Sequence, residues 1–177
     1  MLFRSLLRDV REVWDGATHR EERYAAIEFT GDKRLRAAHT TAILPLYEHM
    51  IRTGAWWDLV DAIAPARFLL IFDRDPGMPS VMRTWAKSDD MWIRRAAILS
   101  QLKRKTKTDL PLLEACVQPS LSSKEFFLRK AIGWSLRELA KTNAAFVKGY
   151  LDVHRDAMSG LSVREAEKHF HDEGSGS

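Results

Sequence analysis

Trp92-Ile93-Arg94-Arg95-Ala96 and Phe127-Leu128-Arg129-Lys130-Ala131 are one five-residue phrase written twice, 35 residues apart. An aromatic residue leads, a branched aliphatic follows, two cations come next and alanine closes. Trp57 opens a third segment a further 35 residues upstream. Each of these segments is preceded by a proline-led one: Leu44-Pro45-Leu46-Tyr47-Glu48, Met78-Pro79-Ser80-Val81-Met82 and Leu110-Pro111-Leu112-Leu113-Glu114. The prolines are spaced by 34 and 32 residues. Proline suits the first turn of a helix, where its missing N–H would have no partner anyway. The unit that repeats is therefore a pair of helices, one opened by proline and the next by an aromatic ring.

A period near 35 built from two helices predicts an all-α chain, an α-solenoid of HEAT-like two-helix repeats with a concave basic face. Leu6, Val10, Val13 and Trp14 form a helical stripe. No run of alternating β-branched residues and no Asn-Gly or Asp-Gly turn argues for strands. The segments 2–14 with 20–30, and 144–154 with 162–171, are expected as degenerate outer repeats. Ser162 and Glu165 fit a capping box opening the last helix. Stacks of this kind set the first helix of each pair on the convex side and the second on the concave side. Trp57, Trp92, Arg95, Phe127 and Trp134 should then share one surface.

Length and composition are those of one domain with a sizeable core. Residues 1–172 are expected to form it, and 173–177 a flexible tail. The net charge of +4 permits nucleic acid as a partner without demanding it. The single cysteine, Cys116, has no internal partner, which favours a reducing compartment, and it reads as a small core residue. No apolar run approaches membrane-spanning length, and arginines interrupt the first residues too often for a secretory signal. A cytoplasmic monomer is the expectation. The six histidines show no zinc-finger or zincin spacing, and His169 and His171, near the chain end, read as solvated.

Chemistry is concentrated in Trp56-Trp57-Asp58-Leu59-Val60-Asp61. On a helix, Trp57 and Asp61 share a face, and an indole wall beside a carboxylate suits a cationic guest. Core packing of the indoles, with the aspartates serving the first helical turn, is the competing reading. Between Met91 and Thr108 lie Arg94, Arg95, Lys103, Arg104, Lys105 and Lys107 with no acid among them. Lys124, Arg129, Lys130, Arg137 and Lys141 form a second set. Such clusters serve either a phosphate backbone or a solvated surface. Lys130, Trp134 and Arg137 are spaced for one helical face, as a phosphate clamp around an indole or as packing under an arginine stem. Gly133 inside that helix costs roughly 1 kcal/mol relative to alanine. Tight helix packing is its favoured explanation, and approach of a ligand the alternative.

These strings, together with Lys124-Glu125-Phe126-Phe127 through Arg137-Glu138, Lys141-Thr142-Asn143 and Leu161-Ser162-Val163-Arg164-Glu165-Ala166, resemble the AlkD-type DNA alkylation-repair glycosylases from about Ala25 onward. The resemblance implies duplex DNA as partner and excision of cationic N3- and N7-alkylated purines without metal or organic cofactor. It implies Trp57 and Trp134 as active-site indoles, Asp61 as the catalytic carboxylate, and Arg95 as the residue holding the backbone near the lesion. Arg94, Lys103, Lys105, Lys130 and Arg137 are then DNA contacts. It also implies that the lesion is reached through its backbone, without the base entering a pocket. The lead before Tyr24-Ala25-Ala26-Ile27 is shorter than in that family, so a truncated first repeat is expected. A non-catalytic module for damaged or branched DNA, or a protein-interaction scaffold, is the alternative.

Overall fold

The computed structural model describes residues 2–172, with side chains described for 5–170. The chain forms ten α-helices over these residues and no strand: α1 (Leu2–Gly16), α2 (Arg20–Thr30), α3 (Leu44–Gly54), α4 (Trp57–Phe72), α5 (Met78–Trp85), α6 (Met91–Leu99), α7 (Leu110–Val117), α8 (Phe126–Ala140), α9 (Ala144–His154) and α10 (Gly160–Asp172). Short 3₁₀ turns fill several connections. The tail beyond 172 lies outside the described residues.

Local rules set these boundaries. Pro45, Pro79 and Pro111 stand in the first turns of α3, α5 and α7, as their spacing predicts. Asp90 caps α6 by accepting from the amides of Trp92 (2.7 Å) and Ile93 (3.2 Å). Asp109 does the same for α7 through Leu112, and Asn143 for α9 through Phe146. The capping box expected of Ser162 and Glu165 is not formed. α10 begins two residues earlier, at Gly160, and Ser159 Oγ accepts from the Ser162 amide at 3.1 Å. Ser162 and Glu165 are thereby released to face α8.

The helices assemble in two layers. α4, α6 and α8 pack side by side, with α2 and α10 flanking them, while α3, α5 and α7 back them. Tyr47, Phe68 and Trp85 interlock edge to face across the two layers, 5.9 and 5.7 Å between centroids. Ile63, Phe68, Ile71, Met50, Met82, Ile93 and Ile132 are fully excluded from water. Each such side chain contributes about 1.5–3 kcal/mol of transfer free energy. Cys116 is among this core, as expected, and burial pushes its thiol up to about 12.

The period also shows in the bonds. Hydrogen bonds that leave one repeat land about one period away: Thr41 to Asp75, Tyr24 to Asp58, Arg95 to Asp61 and Cys116 to Met82 are each 34 residues apart. Ser162 to Arg129 spans 33. The chain is a solenoid-like stack in which each pair is tied to its neighbours.

Candidate active site

α4 is apolar nearly all round, which buries a helix on every side. Its polar exceptions are Asp58, Asp61 and Arg67, and each has a partner. Arg67 donates to Thr30 Oγ1 (3.0 Å) and the Ile27 carbonyl (3.1 Å), closing the end of α2. Asp58 accepts from Arg20 and from the Tyr24 hydroxyl (2.6 Å) on α2. Burial would raise its pKa, but these two donors outweigh it and hold the carboxyl below its ordinary value.

Asp61 faces the other way. Trp57, one turn before it, and Trp134 on α8 line the same open pocket of about 380 Å³, whose remaining lining is Arg95, Phe126, Phe127, Lys130, Arg137 and Glu165. Arg95 of α6 grips both oxygens of Asp61, Nε to Oδ1 at 2.8 Å and Nη2 to Oδ2 at 2.7 Å, and its Nη1 donates to the Phe127 carbonyl. Arg95 is only 4% exposed. Burial raises the pKa of Asp61 and Arg95 opposes it, with burial prevailing. Pro65, inside α4, has no N–H to give to the Asp61 carbonyl one turn back. The carboxylate therefore sits where the helix ladder is interrupted.

A cluster of rings adjoins the pocket through Phe127. Trp92 lies 5.1 Å from Phe127 and 6.2 Å from Trp56, and Trp56 lies 5.8 Å from Phe127. Trp56, Trp57 and Phe126 remain about half exposed. Trp57 and Phe126 thus give the pocket half-exposed aromatic surface beside its charged groups.

The opposite wall comes from α8 and α10. Glu165, 7% exposed, is held by Lys130 (3.0 Å), Lys168 (2.6 Å) and Arg137 (3.6 Å). Burial would raise its pKa, but Lys168 and Lys130 reverse the shift and lower it. Gly133 makes the arrangement possible, because a methyl there would meet the Ser162 carbonyl at 2.8 Å and the stem of Glu165. Tight helix packing is thus the reason for that glycine.

Residues 2–170 match the model of the family described as DNA alkylation repair enzyme. The chain belongs to the DNA alkylation repair enzyme family. A solved structure described as a predicted DNA alkylation repair enzyme from Enterococcus faecalis superposes with a TM-score of 0.78 at 27% identity, covering 95% of this chain and 82% of that one. No curated protein matches this sequence. The resemblance read from the sequence, the all-α repeat fold and a role in DNA repair therefore stand. Among the described residues no helix is long and apolar enough to cross a membrane.

In this family member, Trp57, Asp61, Arg95, Lys130, Trp134 and Arg137 meet at one pocket, from three helices. Arg94, Lys103 and Lys105 do not line it. Arg94 is half-buried on α6 with its Nε sunk. Lys103 and Lys105 are exposed on the α6–α7 connection. Arg95, expected on the DNA backbone, is buried as the partner of Asp61. Lys130 and Arg137, expected as DNA contacts, line the pocket and share Glu165 as an ion-pair partner. His169, expected in solvent, packs against Phe170 at 5.8 Å. His171 lies outside the described side chains. Trp56, Phe126 and Glu165 were not among the sequence-predicted site residues. Trp56 and Phe126 each adjoin a ring that was singled out, so doubling of aromatics was the available signal. Glu165 gave none, because its spacing to Ser162 imitates a cap.

Proposed function

We propose that this family member is a monofunctional DNA glycosylase that hydrolyses the N-glycosidic bond of cationic N3- and N7-alkylated purines in duplex DNA. The observation that carries this reading is Asp61 lining the pocket, both oxygens oriented by Arg95, with the indoles of Trp57 and Trp134 lining the same pocket.

Alkylation at N7 or N3 gives the purine a formal positive charge, so it departs neutral with the bonding electron pair and needs no general acid. The sugar left behind moves towards an oxocarbenium ion, as in other glycoside hydrolyses. A preoriented carboxylate stabilises that growing charge and aligns the water that adds to C1′, with the water's second proton passing to solvent. Indole faces against the deoxyribose favour the cationic sugar over the neutral one. The pocket is open and ring-walled, which suits a sugar approached through its backbone with the base left outside. Arg95 fixes the carboxylate, and the exposed cations beyond the pocket supply backbone charge.

Asp61→Asn tests the assignment. It should cut base release by about 10²–10³, the loss typical when one oriented electrostatic group is removed, while duplex binding stays within a few-fold of wild type. Loss of binding in proportion to loss of release would defeat the catalytic role.

A further inference from the structure

The pocket holds two carboxylates in opposite circumstances. Asp61 has one cationic partner, Arg95, and keeps its pocket side open. Glu165 is enclosed by three cations, Lys130, Arg137 and Lys168. One carboxylate against three cations leaves a local charge of +2 on this wall, whereas the Asp61–Arg95 pair is neutral. Lys130 and Arg137 both line the pocket, on either side of Trp134 along α8, and Lys168 does not. Glu165 itself is nearly excluded from water, and the stem of its side chain, with the backbone of Ser162, packs onto α8 at Gly133. Its carboxylate is held where Lys130 and Arg137 of α8 reach it.

We infer that Glu165 is a positioning residue: it anchors Lys130 and Arg137 at the pocket wall so that the phosphate beside the lesion sugar is gripped in one register, and it withholds the same two cations from indiscriminate phosphate binding. This rests on the glycosylase reading above. Free lysine and arginine side chains lose rotamer freedom on binding, and an anchored pair has lost it already. A phosphate meeting this wall finds the donors that Lys130 and Arg137 do not spend on Glu165, on the side where Trp134 turns a sugar towards Asp61.

The inference separates binding from turnover. In Glu165→Gln the two cations are released and one negative charge is lost. Undamaged duplex should then bind about three- to tenfold tighter at 0.1 M salt, with a salt slope steeper by about 0.9 for each of the two cations that reaches a phosphate. Single-turnover release of 7-methylguanine at saturating enzyme should nonetheless slow at least tenfold, because the register is lost. Glu165→Asp keeps the charge and should restore the wild-type salt slope with part of the rate. Lys130→Gln, which breaks the anchor from the other side, should slow release without tightening binding, and it serves if Glu165→Gln does not fold. Binding and release that fall together with melting temperature would reduce Glu165 to a structural residue and overturn the inference. Tighter binding with undiminished release would overturn positioning as well. Failure of the wild type to release 7-methylguanine would instead overturn the glycosylase reading, and with it the catalytic half of this one.

Discussion

At the residue scale, Asp61 lies between burial, which disfavours its charge, and Arg95, which favours it. The carboxylate must be ionised to stabilise a cationic sugar. Since its pKa is raised above the ordinary value of 3.8, enzyme-dependent release should fall as pH drops through that raised pKa. Arg95→Met leaves burial unopposed, so the acid limb of the pH–rate profile should move to higher pH. A limb that stays in place would show that Arg95 does not govern the carboxylate. Removing one partner of a buried pair costs about 3–5 kcal/mol. In Arg95→Met part of that loss should return on acidification, because a protonated Asp61 no longer carries an uncompensated charge. Thermal melts at two pH values read this directly. Trp57 and Asp61 were legible as neighbours because a helix sets residues four apart on one face. The Asp61–Arg95 bond was not, since it joins residues 34 apart through packing that no local pattern encodes.

At the scale of elements, α8 and α10 approach closely at Gly133. Gly133→Ala places a methyl against the Ser162 carbonyl and the stem of Glu165. Overpacking of this kind costs about 1–3 kcal/mol, which in a chain of this size lowers the melting temperature by roughly 2–12 °C. It should also slow base release by shifting Glu165 and with it Lys130 and Arg137. An unchanged melting temperature would mean that α10 yields freely and that the glycine is not required. The helix starts were legible because proline in a first turn and a carboxylate at an N-cap are local rules. The start of α10 was misread because Ser162 and Glu165 satisfy the spacing of a cap while their side chains serve a different helix. Pro65 is the converse case: apolar residues on every side sustain α4 through a break that the local rule forbids.

At the scale of the whole molecule, a net charge of +4 says little about where the charge is spent. Arg95 is neutralised by Asp61 and Lys141 pairs with Glu138 at 2.6 Å, whereas Lys130, Arg137 and Lys168 share the single carboxylate of Glu165. Lys103 and Lys105 stand exposed on the α6–α7 connection. If these two contact phosphate, the double substitution to glutamine should lower the salt slope of duplex binding by about 1.8. An unchanged slope would place the DNA elsewhere on the stack. The repeat architecture was the most legible feature of all, because one phrase recurring at a fixed interval constrains the chain at every scale. Which cations remain free was the least legible, since pairing across repeats cancels charge that a residue count retains.

The most direct measurement is the product formed from methylated duplex DNA: free 7-methylguanine, with a strand that stays intact until alkali cleaves it at the abasic site. The account predicts both from the wild-type protein and neither above background from Asp61→Asn. Equal release by the two proteins, or no free base from the wild type while it binds the duplex, would contradict the assignment of Asp61 as the group that drives the reaction.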